Sequence, residues 1–249
     1  MRNFNTSVAK GLWINGRDSI MHAFEHFSER GLERSNRQHH DKWIVVSVHH
    51  AAECICNALL LQVEPKSPLF FRDGNVWFPS LSRTLKQLQT PINSARLNPA
   101  ELHLLRLLNQ LLDIRHQFMH RTAPKEIDVS IAAMCMIGLL KYIERRNGET
   151  ASDIFRQHPP IEADVVEAIR YTRLEEYRQF VELFLREKYA DRQLSECPSC
   201  GALAVFSSVC EACFEELLCV RCPETGEEAW EIRGDAMVEC PHCGGPHVP

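Results

Sequence analysis

The sequence predicts a mainly α-helical protein that ends in a small cysteine-rich module. Apolar residues recur at helical spacing through most of residues 1–192. Eight of the eleven cysteines form four Cys-x-x-Cys pairs between residues 197 and 243, where the helical periodicity is lost. We therefore expect two domains, an α-helical domain over residues 1–192 and a double zinc-ribbon module over residues 193–249.

The helices of the first half are delimited by capping and turn residues. The first helix should stop at Gly31, because glycine favours the left-handed turn that ends a helix. Asp41 is expected to cap the second helix, which is apolar from Trp43 to Val63. An Asp73-Gly74 turn between two aromatic runs predicts a small hairpin, and a short helix should follow from Ser80 to Leu88.

The clearest helix start is Asn98-Pro99-Ala100-Glu101, with Asn as the N-cap, Pro at the first position and an acid at the third. This Leu-rich helix should end near Arg121, ahead of Pro124. Further helices are predicted from Lys125 to Asn147 and after Pro159-Pro160. Together these elements predict that the first domain is α-helical.

Composition indicates a soluble protein. Hydrophobic residues make up 45% and charged residues 24% of the chain, as in ordinary globular proteins. The longest charge-free apolar run, Val129 to Leu140, has 12 residues and is too short to cross a bilayer. The first residues lack a basic start followed by an apolar run, so we expect a cytoplasmic location and no membrane partner. In a reducing compartment, paired cysteines indicate metal binding rather than disulfides.

Charge is distributed unevenly along the chain. Residues 194–249 contain ten acidic and two basic residues, a net charge of −8, whereas the rest of the chain carries +3. An acidic tail is poorly suited to a phosphate backbone, so an RNA contact is expected in the helical domain. The acids between the cysteine pairs fit either a solvated face or a surface that contacts a protein partner: Glu215, Glu216, Glu227 and Glu228.

The paired cysteines predict zinc. The eight predicted ligands are Cys197, Cys200, Cys210, Cys213, Cys219, Cys222, Cys240 and Cys243. Two intervening residues let both sulfurs of a pair turn toward one ion, and two pairs complete a tetrahedral Zn²⁺ site. We expect two structural Zn²⁺ ions, with an iron–sulfur cluster as the rival. Sequential pairing matches zinc-ribbon spacing, and interleaved pairing also remains open. Gly201 and Gly244 follow two of the pairs, where a tight turn needs positive φ.

The segment from Asp113 to His120, at the end of the Leu-rich helix, is the best candidate for chemistry. The Arg115 guanidinium can bind phosphate, and an imidazole can transfer a proton near neutral pH. A second polar stripe crosses the apolar second helix, and we expect the two stripes to face each other or a partner subunit: His50, Glu53 and Asn57. Alternatively, the Arg and His side chains cap helix carbonyls, or Asp113, His116 and His120 bind a metal.

With these residues the helical part resembles the HEPN family, α-helical domains whose ribonuclease members carry Arg-x4–6-His at a helix end. Arg115 to His120 fits that pattern, with His116 in the polar position after the Arg. The segment from Ala51 to Leu60 is similar to the family's acid-bearing helix, in which a Glu precedes an apolar run. Trp77 to Leu81 looks like the family's connecting loop. The resemblance covers roughly residues 14–189.

The resemblance implies an antiparallel helical bundle that acts as a homodimeric, metal-independent endoribonuclease. His120 would activate the RNA 2′-OH or protonate the leaving 5′-oxygen, Arg115 would stabilise charge on the phosphate, and His116 would donate a hydrogen bond; Glu53 is a further catalytic candidate. The products would be a 2′,3′-cyclic phosphate and a 5′-OH, and DNA would not be cut. A role in stress or defence is suggested. The alternatives are a non-catalytic dimeric regulatory module whose zinc ribbons recruit a protein partner, and an RNA-binding adaptor.

Overall fold

The computed structural model describes most of the helical part of the chain and shorter pieces of the cysteine-rich part. The described residues are 2–32, 36–72, 75–120, 129–147, 174–191, 193–205, 208, 210–212, 215–222, 224–226, 228–232, 238–239, 243 and 246–247. The chain divides into two compact units, residues 1–174 and 175–249. The prediction of a mainly helical protein with a cysteine-rich C-terminal region is confirmed.

In the described part of the first unit, the secondary structure is helical apart from one small hairpin. Its described helices are α1 (Arg2–Leu32), α2 (Arg37–Val63), α3 (Leu81–Leu88), α4 (Pro91–Ser94), α5 (Pro99–His120) and α6 (Val129–Asn147). A short 3-10 helix, Pro68–Phe70, leads into the antiparallel strands β1 (Phe71–Arg72) and β2 (Asn75–Val76). The predicted hairpin is therefore confirmed by its strands, and its Asp73-Gly74 turn lies outside the described residues.

The second unit begins with helix α7 (Leu174–Lys188) and continues as short antiparallel hairpins. Its strands are β3 (Ser195–Glu196), β4 (Leu203–Val205), β5 (Leu217–Arg221), β6 (Glu228–Ile232), β7 (Val238–Glu239) and β8 (Pro246–His247). They pair in sequence order, β3 with β4, β5 with β6 and β7 with β8. Of the described cysteines, Cys197 and Cys200 lie between β3 and β4, Cys219 lies on β5, and Cys222 directly follows β5.

Helix α2 is the central helix of the first unit, since it packs against α1, α3, α5 and α6. Among the described helices it is the one long and apolar enough to cross a membrane, yet 83% of its most apolar stretch is buried inside the protein. A helix surrounded by other helices is apolar around most of its circumference. Its composition is therefore explained by packing, which is compatible with a soluble protein.

Two helix starts were predicted from capping residues, and the structure confirms the one at Asn98 but not the one at Asp41. Asn98 and Glu101 form the predicted capping box: Oδ1 of Asn98 accepts the Glu101 N–H at 2.7 Å, and Oε2 of Glu101 accepts the Asn98 N–H at 3.0 Å. Asp41 does not cap α2, which begins at Arg37. Asp41 is instead buried in the helix, where its carboxylate accepts a hydrogen bond from the Arg30 guanidinium of α1. The helix therefore begins before the predicted cap, and the acid pairs with the neighbouring helix.

Helix α7 is associated with the cysteine-rich unit, although its apolar spacing placed it in the domain that ends at residue 192. The Leu203 N–H donates to Oε1 of Glu182 at 3.2 Å. The Arg178 guanidinium packs so closely on Gly201 that a Cβ there would lie 2.9 Å from Nη2. A two-stranded hairpin is barely stable alone, and a packed helix supplies the missing support. The predicted helix after Pro160 is described only from Leu174, and the start predicted at Lys125 lies outside the described residues.

Helices α1 and α2 approach each other closely at Gly16, which makes this position sensitive to a single methyl group. A Cβ on Gly16 would lie 2.7 Å from Cγ1 of the buried Ile55. Overpacking costs about 1–3 kcal/mol, and the gain in helix propensity of about 1 kcal/mol offsets only part of it. Gly16→Ala is expected to lower the free energy of unfolding by about 1 kcal/mol, measured by chemical denaturation.

The matched control is Gly11→Ala on the same helix. No atom outside its own helix turn lies within 4 Å of a Cβ at Gly11. This substitution should therefore raise the free energy of unfolding by about 0.5–1 kcal/mol through helix propensity alone. Changes of the same sign at Gly11 and Gly16 would contradict the close approach of α1 and α2.

Candidate functional site

Three cysteines of the second unit lie together as a metal ion would require. The Sγ atoms of Cys197, Cys200 and Cys210 lie within 4.8 Å of one another, and all three side chains are buried. The Cys200 and Cys210 sulfurs are 3.8 Å apart. Two sulfurs on a tetrahedral Zn²⁺ with bonds of about 2.3 Å are separated by about 3.8 Å, whereas a disulfide holds them about 2.05 Å apart. The cluster could therefore hold a metal ion, and Cys213, the fourth predicted ligand, lies outside the described residues.

Two tight turns orient these sulfurs. Gly201 has φ of +69°, as predicted, and its N–H donates to the Cys197 carbonyl oxygen at 2.7 Å. In the second turn the Cys210 N–H donates to the Glu215 carbonyl oxygen at 3.0 Å. The Ala212 N–H donates to Sγ of Cys210 at 3.4 Å. Hydrogen bonds from backbone N–H groups orient a thiolate and stabilise its charge, so this turn suits a metal-bound sulfur.

The other predicted zinc ligands lie further along the second unit. Cys219 is exposed on β5 opposite Trp230, and Cys222 is buried just beyond the strand. The Thr225 N–H donates to Sγ of Cys222 at 3.5 Å. Cys243 is half-buried, and Cys240 and Gly244 lie outside the described residues. Among the residues that the structure describes, no three cysteines of this second set lie together. The second zinc site remains a prediction.

In the first unit, Arg115 near the end of α5 lies close to His49 of α2. His49 is buried; burial first, and then the Arg115 guanidinium and His50, lower the pKa of His49 to about 4. Helices α2 and α5 pack together, which brings the two residues near each other. Sequence reasoning missed His49, although it lies on the same apolar face of α2 as Val45 and Ala52, where a buried imidazole would stand out.

The rest of the Arg115 segment is only partly described. Asp113 and His116 are exposed, and Arg115 is half-buried. His120 is the last residue of α5, as the predicted helix end near Arg121 requires, and its side chain lies outside the described part of the chain. The proximity of Arg115 and His120 therefore stays a prediction.

Glu53 and Asn57 contact α3 and the residues just before it. Oε2 of Glu53 accepts the Leu81 N–H at 3.0 Å, and Oδ1 of Asn57 accepts the Thr84 hydroxyl at 2.7 Å. Ser80, the N-cap residue of α3, makes no side-chain capping bond. The Glu53 carboxylate supplies that bond from the neighbouring helix, and its negative charge suits a helix N-terminus. These contacts give Glu53 a structural task that the predicted catalytic role did not include.

His50, the third member of the polar stripe, contacts α1. Its Nδ1 lies 2.7 Å from Oγ of Ser19, and its Nε2 lies 3.9 Å from Sγ of Cys54. The stripe was expected to face the Arg115 segment or a partner subunit, and its contacts are divided between α1 and α3. The α2 imidazole whose pKa Arg115 lowers is the preceding residue, His49.

The cysteines outside the Cys-x-x-Cys pairs are buried and stay protonated. Burial, with a smaller contribution from Glu53, raises the pKa of Cys54 to about 11 and that of Cys56 to about 12. Burial also raises the pKa of Cys135. A thiol is a nucleophile and a metal ligand only as its thiolate. These three residues therefore serve as small apolar side chains of the helical core.

The buried His49 should make the protein sensitive to acid. Its pKa is about 4 in the folded protein against 6.5 in the unfolded chain, so the unfolded chain binds more protons between these values. The stability that neutral His49 contributes is complete above pH 6.5 and is lost as the pH falls toward 4, by about 3 kcal/mol in all. His49→Gln should flatten the fall in the free energy of unfolding between pH 7 and 4.5, measured by urea denaturation. An equally steep fall in His49→Gln would show that other groups cause the sensitivity to acid.

The chain matches no protein-family profile, no curated protein and no solved structure. The assignment of the helical part to a ribonuclease family therefore remains a prediction, and it is carried by three segments: Ala51 to Leu60, Trp77 to Leu81 and Arg115 to His120. The cysteine cluster is supported separately, because it rests on the positions of three buried sulfur atoms.

Proposed function

We propose that the protein is a metal-independent endoribonuclease whose reactive groups lie at the C-terminal end of α5. The observation that carries the proposal is the half-buried residue Arg115, whose charge contributes to the lowered pKa of the buried His49. A partly buried cation is screened less by water and salt than an exposed one, so it attracts phosphate more strongly. Its planar set of N–H donors also matches two phosphate oxygens at once.

In this proposal Arg115 binds the phosphate that is attacked and stabilises the charge that develops on its oxygens. The RNA 2′-oxygen forms a bond to phosphorus as the bond to the 5′-oxygen breaks. His120 takes the proton from the 2′-OH or supplies one to the leaving 5′-oxygen, and His116, exposed beside Arg115, donates a hydrogen bond. His49 is neutral at pH 7, because its pKa is about 4, and so leaves Arg115 as the anion-binding group of the pair.

Glu53 is assigned to positioning rather than to the reaction. Its carboxylate accepts the Leu81 N–H and thereby caps α3. A catalytic carboxylate would need a free oxygen near the scissile phosphate, where its charge would also repel the substrate. The proposal therefore rests on Arg115, His116 and His120.

For the second unit we propose a structural role based on zinc. Thiolate ligands and a sulfur separation of 3.8 Å between Cys200 and Cys210 favour Zn²⁺ at the first site. The Cys219–Cys243 region would hold a second ion by sequential pairing. Four thiolates leave no coordination position for a substrate, so the unit would stabilise structure and present exposed acids such as Glu216 and Glu228 to a protein partner.

We further propose that the enzyme works in the cytoplasm on single-stranded RNA. Two copies of the helical unit would form a homodimer, with the two Arg115 side chains on either side of one cleft. Two guanidinium groups would then contact the same RNA chain, which fits a substrate with one negative charge per nucleotide.

The products of the reaction test the proposal. In buffer with EDTA and no added metal, the full-length protein should cut single-stranded RNA and leave 2′,3′-cyclic phosphate and 5′-OH ends, detected by mass spectrometry. An RNA with a single 2′-deoxy nucleotide should resist cleavage at that nucleotide alone, because the attacking oxygen is missing. Cleavage that needs added Mg²⁺, or that leaves 5′-phosphate ends, would refute the mechanism. A dimer that binds a protein partner and cuts no RNA would favour the regulatory alternative.

A further inference from the structure

Where α1 runs past the start of α2, the protein has a second group of metal-ligand side chains, distinct from the cysteines and from the Arg115 segment. It consists of His26 and Glu29 on α1 and His40 on α2. We propose that these three residues bind a divalent transition-metal ion, with Zn²⁺ as the best match. The site lies within the first unit, and its metal is held by nitrogen and oxygen atoms instead of sulfur.

The three ligand atoms form a nearly regular triangle. Nδ1 of His26 and Nδ1 of His40 are 3.2 Å apart, and Oε2 of Glu29 lies 3.5 Å from the first and 3.4 Å from the second. Tetrahedral Zn²⁺ with bonds of about 2.0–2.1 Å to nitrogen and oxygen places neighbouring ligands about 3.3–3.4 Å apart. One ion can therefore bind all three atoms with little movement of the side chains.

The side chains around the triangle favour a bound ion. The Trp43 ring lies nearly parallel to the His26 ring, with 6.1 Å between ring centroids and 15° between planes. The His22 ring lies 4.7 Å from that of His26, and the His39 ring lies 5.6 Å from that of His40. Neither of these two rings belongs to the group of ligand atoms that lie together, so a water molecule would supply the fourth ligand. Two His and one carboxylate with an open position form a known zinc ligand set.

Charge is also arranged to accept a cation. His40 is buried and His26 is mostly buried, whereas the Glu29 side chain is 54% exposed, which leaves the ion a path from solvent. Arg30, the residue next to Glu29, is paired with the buried carboxylate of Asp41. That pairing reduces the repulsion which an unpaired guanidinium one residue from Glu29 would exert on a metal ion.

The full-length protein, with its cysteine sites loaded with zinc, provides the test. Equilibrium dialysis against Zn²⁺, read by elemental mass spectrometry, should show one zinc per chain that His26→Gln removes. Glu29→Gln should weaken this binding by at least ~10-fold. Removing a residue that only hydrogen-bonds to a metal ligand already costs about that much, and Glu29 would bind the ion directly. His103→Gln, the same chemical change on α5, should leave binding unchanged.

Two further readouts keep the result independent of folding and of the ribonuclease proposal. Glu29 is half exposed, so Glu29→Gln should retain full helicity by circular dichroism even if substitution of the buried His40 does not. The zinc lost in His26→Gln and the zinc lost in Cys210→Ser should add in the double variant, because the two sites use different ligands. The proposal would be overturned if His26→Gln and Glu29→Gln bound as much zinc as the original protein, with the same affinity. The two imidazoles would then be held together by hydrogen bonds alone.

Discussion

Replacing Cys210 with serine is expected to remove one metal ion per chain and to unfold the hairpin of β3 and β4. The Cys210 sulfur lies 3.8 Å from that of Cys200 and accepts the Ala212 N–H. A serine hydroxyl cannot replace the thiolate at neutral pH. Structural zinc contributes about 10–16 kcal/mol to the folding of small zinc-binding peptides, whereas a whole domain is stable by only about 5–15 kcal/mol. The free energy lost with the ion should therefore exceed the stability of this small unit, and the hairpin should unfold.

Elemental analysis and hydrogen exchange measure the two parts of this prediction. Cys210→Ser should contain one zinc fewer than the original protein, and the Cys197 and Gly201 amides, which donate within the turn, should exchange freely. Cys54→Ser is the matched control, because it replaces a buried thiol of α2 that the metal proposal does not use. It should keep its full zinc content. Full zinc content and full amide protection in Cys210→Ser would show that the sulfur cluster is a packing feature and not a metal site.

The contacts of α7 extend this effect beyond the cysteines. Arg178 packs on Gly201, and Glu182 accepts the Leu203 N–H. Helix α7 and the turn from Cys197 to Gly201 therefore stabilise each other. Without metal the turn has few apolar side chains with which to hold its shape, as is common in small zinc modules. Metal binding at Cys197, Cys200 and Cys210 would thus order a helix together with its hairpin, and the folding unit would be larger than the cysteine pattern alone indicates.

Sequence signals predicted those parts of the fold whose physical cause is local. The capping box of Asn98 and Glu101 and the positive φ of Gly201 each depend on a few consecutive residues, and both are present. Asp41 and α7 depend on partners distant in sequence. Asp41 has the chemistry of an N-cap, but an ion pair with Arg30 competes for the same carboxylate. The apolar spacing of α7 predicts a helix, but it does not indicate which of the two units the helix packs against.

The same distinction applies to the candidate sites. Cys197, Cys200 and Cys210 were predicted because the spacing of a Cys-x-x-Cys pair is itself enough to bring two sulfur atoms to one ion. His49 was missed because its importance comes from α5, 66 positions along the chain at Arg115. The His26, Glu29 and His40 group was missed for a related reason: it takes ligands from two helices, and only their packing brings the atoms within 3.5 Å of one another. Spacing identifies ligands on one segment, whereas packing is needed to join ligands from two.

Arg115→Ala is expected to lower the rate of RNA cleavage by about 10²–10³, the usual loss when one preorganised donor to a developing negative charge is removed. The matched control is Arg106→Ala, which removes an exposed arginine from the same helix and should leave the rate nearly unchanged. Arg115→Lys keeps the charge but loses the planar set of donors, so its rate should fall between the two. The rates are measured in single-turnover conditions on one defined RNA, after each variant is shown to unfold at the same urea concentration.

A second measurement on Arg115→Ala separates its position from its catalytic role. Because the guanidinium helps to lower the pKa of His49 to about 4, its removal should raise that pKa, and burial should still hold it below 6.5. Titration of the His49 ring by NMR records this shift without any substrate, and Arg106→Ala should not cause it. A raised pKa together with unchanged cleavage would place Arg115 beside His49 and exclude it from the reaction. An unchanged pKa would contradict the packing of α5 against α2 on which the proposed site depends.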